Sequence, residues 1–177
     1  MVYMAGIVGV LACASSPGGG SVEAKPVSTA VSAEGSIGRM RVETDDSPTT
    51  RTIPLSLASA WAALPTVYSS LGLSITQVDT TSLIVRGVRA RSRQPFVGKQ
   101  LSELLDCGET AGIPNTMRYD VTMQVATQLR PDSSGTAVVT QVLATAKASG
   151  TAGDPVRCGS NGRIATGIAD ALRGAVK

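Results

Sequence analysis

The residue types that most often carry acid–base or metal chemistry are scarce in this sequence. None of its 177 residues is His, which removes the imidazole base and the commonest transition-metal ligand. Carboxylates occur in two close groupings, Asp45 with Asp46 and Asp106 with Glu109. Paired carboxylates can divide acid and base roles or hold a hard cation, but neither grouping has the alternating spacing of a calcium loop. We therefore expect no catalytic residue, no resident metal and no cofactor.

Motifs for nucleophilic catalysis and phosphate binding are equally weak. No Gly-x-Ser-x-Gly occurs, and without His a Ser nucleophile would need a Lys as its base. The triplet Gly18-Gly19-Gly20 follows no predicted strand and precedes no predicted helix, so it is not a nucleotide loop. The sequence therefore favours a protein that is not an enzyme. A Ser–Lys dyad, or an enzyme that uses carboxylates alone, is the catalytic alternative.

Three Cys residues give the clearest chemical signal. Cys13 ends a short apolar run, whereas Cys107 and Cys158 are each followed by Gly. An odd count normally leaves one thiol unexplained, and modification of Cys13 would leave the other two as a pair. In an oxidising compartment we expect Cys107 and Cys158 to form a disulfide. The alternative is two buried free thiols in a cytosolic protein.

The amino terminus is typical of an export signal. The first charged residue is Glu23, and residues 5–12 are small and apolar. A helix needs about 20 apolar residues to cross a bilayer, so this run is too short to anchor the chain by itself. Val10-Leu11-Ala12-Cys13 resembles the lipobox of bacterial envelope lipoproteins. That resemblance implies that Cys13 becomes the first mature residue and carries acyl chains such as palmitate; the alternative is an ordinary buried apolar segment.

Composition divides the chain into three regions. Residues 1–13 are the predicted export signal, and residues 14–37 are rich in Ser, Pro, Gly and Ala, which is typical of a disordered, flexible tether. A coil of about 24 residues has an end-to-end distance of roughly 27 Å, enough to clear lipid headgroups. Residues 38–177 carry the periodic patterns of a single folded domain.

The first half of that domain combines short strands with one long helix. Met40 and Val42 alternate with charged residues in a strand that begins near Gly38, and residues 51–55 are expected to return as an edge strand. Ser56 is the candidate N-cap of the helix, and Gly72 is placed where a helix ends. Pro65 lies inside the helix. Its apolar positions are Leu57, Trp61, Leu64, Tyr68 and Leu71.

Strand patterns dominate the second half. Residues 73–78 and 83–91 are predicted to form a hairpin, and residues 100–105 a short helix. Residues 119–129 alternate strictly between apolar and polar, and residues 136–148 form a second long strand that should pair with them. A last helix, capped by Ser160 or Asn161, carries an apolar stripe formed by Ile164, Ile168, Ala171, Leu172 and Ala175.

This order of elements predicts an α+β domain of two layers, with an antiparallel sheet and two main helices on one of its faces. The arrangement resembles the helix-grip lipoproteins of the bacterial envelope, such as the accessory lipoprotein of outer-membrane barrel assembly. The resemblance is architectural and covers residues 38–177. It implies a role in binding a partner.

A run of basic residues is the most distinctive charge feature. Arg86, Arg89, Arg91 and Arg93 lie on and just after one predicted strand, and no acidic residue interrupts the run. The last three are spaced two residues apart, so their side chains should project from the same face of a strand. This predicts a basic strip suited to phosphates, acidic headgroups or an acidic protein. The alternative is a solvated edge strand protected from aggregation by its charges. A net charge of only +3 and 3% aromatic residues argue against nucleic acid.

These patterns together predict a membrane-anchored lipoprotein of the cell envelope that faces the periplasm. Its expected role is that of a non-catalytic accessory or docking subunit of a membrane-protein complex of the respiratory, photosynthetic or outer-membrane assembly type. The alternative is a carrier of a small apolar ligand, bound in a cleft between sheet and helix. That cleft would be formed by Trp61, Tyr68, Met123 and Val125.

Overall fold

A computed structural model describes residues 47–150 and 152–176. The strand predicted near Gly38, together with the predicted signal and tether, lies outside the described residues. Along the chain the elements are β1 (Thr49–Ile53), α1 (Leu57–Ser70), β2 (Ser74–Asp79), β3 (Ile84–Ser92), α2 (Leu101–Leu104), β4 (Leu105–Asp106), β5 (Glu109–Thr110), β6 (Ile113–Pro114), α3 (Asn115–Arg118), β7 (Asp120–Asp132), β8 (Gly135–Lys147), β9 (Val156–Ser160) and α4 (Arg163–Ala175).

Helix α1 forms as its sequence predicts. The Ser56 side chain caps its N-terminus by accepting a hydrogen bond from the backbone N–H of Ser59 at 3.1 Å. Gly72 follows the C-terminal turn with φ of +72°, a conformation that glycine adopts without strain. Pro65 is accommodated inside the helix, and the buried face consists of Ala60, Leu64, Val67 and Tyr68.

The large sheet contains seven strands, all paired antiparallel. Its order is β2-β3-β7-β8-β9-β4, and β1 also pairs with β8. The β7–β8 hairpin is continuous from the pair Asp120–Lys147 to the pair Asp132–Gly135. Strand β1 had been expected to return beside a strand at residues 38–43; within the described residues it pairs with β8 instead, where Thr49 lies opposite Thr140.

Both long helices cover the same face of this sheet. Along β7 the residues Val121, Met123, Val125, Thr127 and Leu129 are buried, and the residues between them are more exposed. Helices α1 and α4 contact each other, with α1 packed on β7 and α4 packed on β8. The predicted two-layer α+β fold, with its helices on one face, is confirmed. We call the opposite face of the sheet, which no described helix covers, the open face.

The segment between β3 and α2 packs against the helical layer. Phe96 is only 2% exposed, and Val97 follows it with a left-handed φ of +46°. A Cβ atom placed on Gly167 of α4 would lie 2.6 Å from Cβ of Val97. Glycine at position 167 therefore creates the space that the Val97 side chain occupies.

A small lobe at the other edge of the sheet contains α2, β4, β5, β6 and α3. The sulfur atoms of Cys107 and Cys158 are 2.04 Å apart, and 51 residues separate the two in sequence. Asn115 braces the same region, because its Nδ2 donates to the carbonyl oxygen of Cys107 at 3.0 Å. The helix predicted at residues 100–105 is a single turn, since Leu105 leaves it to pair with Ser160.

The start of α4 differs from the prediction. Gly162, with φ of +77°, occupies the N-cap position that had been assigned to Ser160 or Asn161. Asn161 still contributes, since its Oδ1 accepts a hydrogen bond from the backbone N–H of Arg163 at 3.2 Å. A left-handed residue is needed here because the chain turns directly from β9 into the helix.

Candidate functional site

The predicted basic strip does not form on one face of the sheet. The register between β3 and β7 shifts between Arg89 and Ser92, and Arg91 within this bulge has a left-handed φ of +45°. A bulge inserts an extra residue in one strand, so side chains on either side of it no longer alternate regularly between the two faces of the sheet. The prediction that Arg89, Arg91 and Arg93 project together is therefore wrong.

Arg89 is a structural residue on the helical side of the sheet. It lies opposite Met123, and its guanidinium carbon is 5.3 Å from the centroid of the Phe96 ring. Nη1 and Nη2 donate to the carbonyl oxygens of Gln94 and Pro95, each at 3.1 Å. Burial lowers the pKa of Arg89. This arginine fastens the segment that carries Phe96.

Arg86, in contrast, lies on the open face. It is exposed and stands opposite Ala126 of β7. Three register pairs separate it from the bulge. The arginines of the predicted strip are in this way divided between two faces of the sheet.

Arg93 binds Asp120 at the start of β7. Its Nε lies 2.7 Å from Oδ1 of Asp120, and its Nη2 donates to Oγ of Ser149. Ser149 in turn donates to Oδ2 of Asp120 at 2.7 Å. The hydrogen bond from Ser149 lowers the pKa of Asp120, and the hydrogen bond and charge of Arg93 lower it further. Asp120 is therefore an ionised carboxylate whose two oxygens are both occupied.

Next to Arg93, Asp120 and Ser149, four residues on neighbouring strands form a row across the open face. Thr122 of β7 lies opposite Thr145 of β8, which lies opposite Arg157 of β9. On the other side, the backbone N–H of Arg91 donates to Oγ1 of Thr122 at 3.3 Å. Lys147 lies one step along β8, opposite Asp120. We call Arg91, Thr122, Thr145, Arg157 and Lys147 the basic row.

The charged members of the basic row are accessible. Arg91, Lys147 and Arg157 are exposed, and the two threonines are half-buried. The side chains of Arg91 and Lys147 make no hydrogen bond or ion pair with any residue that the structure describes. Such a row of cations and hydroxyls is suited to binding oxyanions.

The residues proposed for an apolar cleft are packed together. Tyr68, Met123 and Val125 are each at most 1% exposed, and Trp61 is partly buried against the core. The Tyr68 ring lies so close to β3 that a Cβ on Gly87 would be 2.9 Å from its Cδ1 atom. The ring therefore fills the space between α1 and β3 at this point.

Two open pockets lie elsewhere. One, of about 420 Å³, borders the disulfide and includes Asp106, Glu109 and Thr116. Asp106 accepts a hydrogen bond from the backbone N–H of Gly108 at 2.9 Å, as in a tight turn. A second pocket, of about 260 Å³, lies near the start of α4 and includes Arg51 and Gly162. Neither brings together a catalytic constellation.

Residues 47–150 and 152–176 lack both a metal-binding cluster and a membrane-spanning helix. This part of the chain holds no cluster of three His, Cys, Asp or Glu side chains suited to a metal ion. It also contains no helix with the length and apolar character needed to span a bilayer. The other carboxylate grouping, Asp45 with Asp46, lies outside the described residues.

No protein family matches the chain, and neither does any curated protein.

Sequence reasoning had not included most of the basic row among the site residues. Of its five members only Arg91 had been selected, because the arginine run had been considered alone. Alternation along β7 and β8 indicates that Thr122 and Thr145 share the polar face, but only the register places them side by side. Arg157 joins the row through β9, a strand that had not been predicted.

Proposed function

We propose that this chain is a membrane-tethered envelope lipoprotein that faces the periplasm and serves as a non-catalytic docking subunit of a membrane-protein assembly. The observation that carries the proposal is the pairing of Cys107 with Cys158. It leaves Cys13 as the single remaining sulfur nucleophile, at the end of the lipobox-like segment. Acyl chains on Cys13 would supply the membrane anchor.

The environment of the disulfide supports a secreted location. Cys107 is 4% exposed and Cys158 is 3% exposed, and the residues next to them in β4 and β9 pair with each other. Disulfides of this structural kind persist in oxidising compartments and are rare in the cytosol. In a bacterial envelope the matching compartment is the periplasm.

The open face supports the docking role. Helices cover the opposite side of the sheet, while the open face presents Leu143, 38% exposed, near its centre. Ile84 and Val88 of β3 lie on the same face and are half-buried. Exposed aliphatic side chains bordered by polar residues are typical of interaction surfaces. The partner class that we propose is a respiratory, photosynthetic or outer-membrane assembly.

Lipidation can be tested directly in a bacterial host. The full chain and its Cys13→Ser variant are expressed with labelled palmitate, and the first mature residue is identified by mass spectrometry. We expect label on the wild type only, with acylated Cys13 at the mature terminus. Free thiols at all three cysteines in the cytosolic fraction would overturn the proposal.

Docking is tested by gentle detergent extraction, followed by identification of the proteins that co-purify. Leu143→Glu should abolish co-purification of the assembly, because it places a charge at the centre of the open face. Met117→Glu is the matched control, since Met117 is 65% exposed on α3, away from that face. Equal co-purification with both variants would exclude the open face as the docking surface.

A further inference from the structure

We infer that the basic row binds the phosphate groups of anionic membrane lipids and thereby turns one end of the open face toward the bilayer. This inference deepens the proposed function, on which it rests for the location of the protein at a membrane. Three features of the row favour phosphate: the order of its side chains, the free hydrogen-bond donors of its hydroxyl groups, and the local balance of charge.

The order of side chains places hydrogen-bond donors at regular intervals. Adjacent strands lie about 5 Å apart, so Arg91 and Arg157 flank the two threonines over roughly 15 Å. Guanidinium groups bind phosphate oxygens through paired N–H donors, and an ammonium group such as that of Lys147 adds a compact positive charge. A row of this length is matched to a surface of phosphates more closely than to one small ion.

The two hydroxyl groups are available as donors. Thr122 Oγ1 accepts from the backbone N–H of Arg91 at 3.3 Å, which leaves its own hydrogen free to donate. Thr145 Oγ1 has no hydrogen-bond partner among the described residues. Hydroxyl donors between two arginines favour a ligand that offers several acceptor oxygens, as a phosphate does.

The local charge balance is positive. Among the described residues, Arg91, Arg93 and Lys147 lie around the carboxylate of Asp120. Arg93 and Ser149 already bind both oxygens of Asp120. Arg91 therefore interacts with this carboxylate through its charge alone, and neither Arg91 nor Lys147 forms a hydrogen bond with it. Each cation near an anionic bilayer contributes about a fivefold gain in binding.

The shape of the site favours a bilayer over an acidic peptide. Extended or helical peptides are usually bound at a free strand edge or in a groove, whereas the basic row crosses the face of the sheet over four strands. A sheet face presents its side chains as a surface, and a bilayer presents its phosphates in the same way.

The test uses the unlipidated full chain, Cys13→Ser, in vesicle sedimentation, so that lipidation cannot contribute. Vesicles contain phosphatidylcholine alone or with about one third phosphatidylglycerol, a source of negative surface charge. We expect binding only to the anionic vesicles, and loss of that binding when NaCl is raised from about 0.1 M to about 1 M. Equal binding to both vesicle types would overturn the inference.

The double variant Arg91→Glu/Lys147→Glu should bind anionic vesicles at least about 25-fold more weakly, from two cations at about fivefold each. Arg130→Glu/Arg118→Glu is the matched control, with the same change of net charge at sites outside the row. If both double variants lose binding equally, the attraction is general and the row is not a site. If circular dichroism shows that Arg91→Glu/Lys147→Glu does not fold, Arg91→Gln/Lys147→Gln replaces it and is compared with the same control.

An acidic partner is distinguished by a parallel measurement with a poly-glutamate peptide. Loss of peptide binding in the Arg91→Glu/Lys147→Glu variant, with vesicle binding retained, would assign the row to a protein and overturn the lipid inference. Failure of the vesicle test together with acylated Cys13 would leave the proposed lipoprotein function intact. Vesicle binding without acylation of Cys13 would retain the row and remove the proposed anchor.

Discussion

The hydroxyl of Tyr68 donates a hydrogen bond to Oγ1 of Thr127 at 2.8 Å, inside the core between α1 and the sheet. The same hydroxyl lies 3.1 Å from the carbonyl oxygen of Val85. Thr127 Oγ1 is in turn 3.3 Å from Oγ1 of Thr140 on β8. A chain of hydroxyl groups thus links one helix to three strands within an otherwise apolar layer.

Tyr68→Phe is predicted to lower the free energy of unfolding by about 1 to 2 kcal/mol at pH 8, because Thr127 loses a buried partner. Burial raises the pKa of Tyr68 to about 12. The tyrosine therefore stabilises the fold fully below its unfolded pKa of about 10, and this contribution is lost as the pH rises toward 12.

The wild type should accordingly lose about 1.4 kcal/mol more than Tyr68→Phe between pH 8 and pH 11. Urea unfolding of both proteins at the two pH values measures this difference. A gap between the two proteins that does not change with pH would contradict the prediction.

The two Gly→Ala substitutions Gly167→Ala and Gly174→Ala in α4 should have opposite effects. Gly174→Ala has open space around its new Cβ and should stabilise by about 0.5 to 1 kcal/mol through helix propensity. Gly167→Ala has the same gain in propensity, but its Cβ would lie 2.6 Å from Val97. It should destabilise by about 1 to 3 kcal/mol.

Thermal unfolding of both variants tests this contact, and Val97→Gly, which removes Cβ together with both Cγ atoms, provides the cross-check. Combined with Gly167→Ala, it should recover at least about 1 kcal/mol relative to the sum of the single effects. Additive effects would show that Val97 does not cause the destabilisation.

Removal of the disulfide by Cys107→Ala/Cys158→Ala should reduce stability by about 4 kcal/mol, the chain-entropy estimate for a separation of 51 residues. Reductant should lower the melting temperature of the wild type and leave that of the double variant unchanged. Cys13→Ser is the control and should behave as the wild type. Equal stability of oxidised and reduced wild type would contradict this.

Arg89→Ala is predicted to cost about 2 kcal/mol, from the lost contact with Phe96 and the two lost carbonyl hydrogen bonds. Arg86→Ala removes the same charge from an exposed site and should change stability by less than about 0.5 kcal/mol. Chemical unfolding of the pair distinguishes the two roles. Faster proteolysis near Phe96 in Arg89→Ala alone would show that the lost stability lies in the segment that Arg89 holds. An equal loss of stability in Arg86→Ala would refute the structural role of Arg89.

Local patterns were sufficient for the long elements. Helix α1 was predictable because its cap, its apolar stripe and the glycine that follows it agree with one another. The β7–β8 hairpin was predictable because strict alternation fixes one buried face. From these elements the two-layer arrangement follows with few alternatives.

The parts that were missed depend on contacts distant in sequence. Strand β9 contains Cys158 and Gly159, has no apolar alternation, and pairs with β8 through only three residues. The bulge at Arg91 has no glycine or proline to signal it. The two-residue spacing of the arginines therefore predicted that they share one face. The basic row requires both features, and for that reason the site could not be derived from sequence alone.

The bond between Cys107 and Cys158 also has a mechanical consequence. It encloses α3, β7 and β8 in a covalent ring, whereas β1 lies outside the ring. A force applied at Ser47 and at the C-terminal end of α4 therefore stretches only the segments outside it. The residues inside the ring would add about 170 Å if they could be extended, but the disulfide prevents this. Under load, β1 should therefore separate from the sheet while the β7–β8 hairpin remains folded.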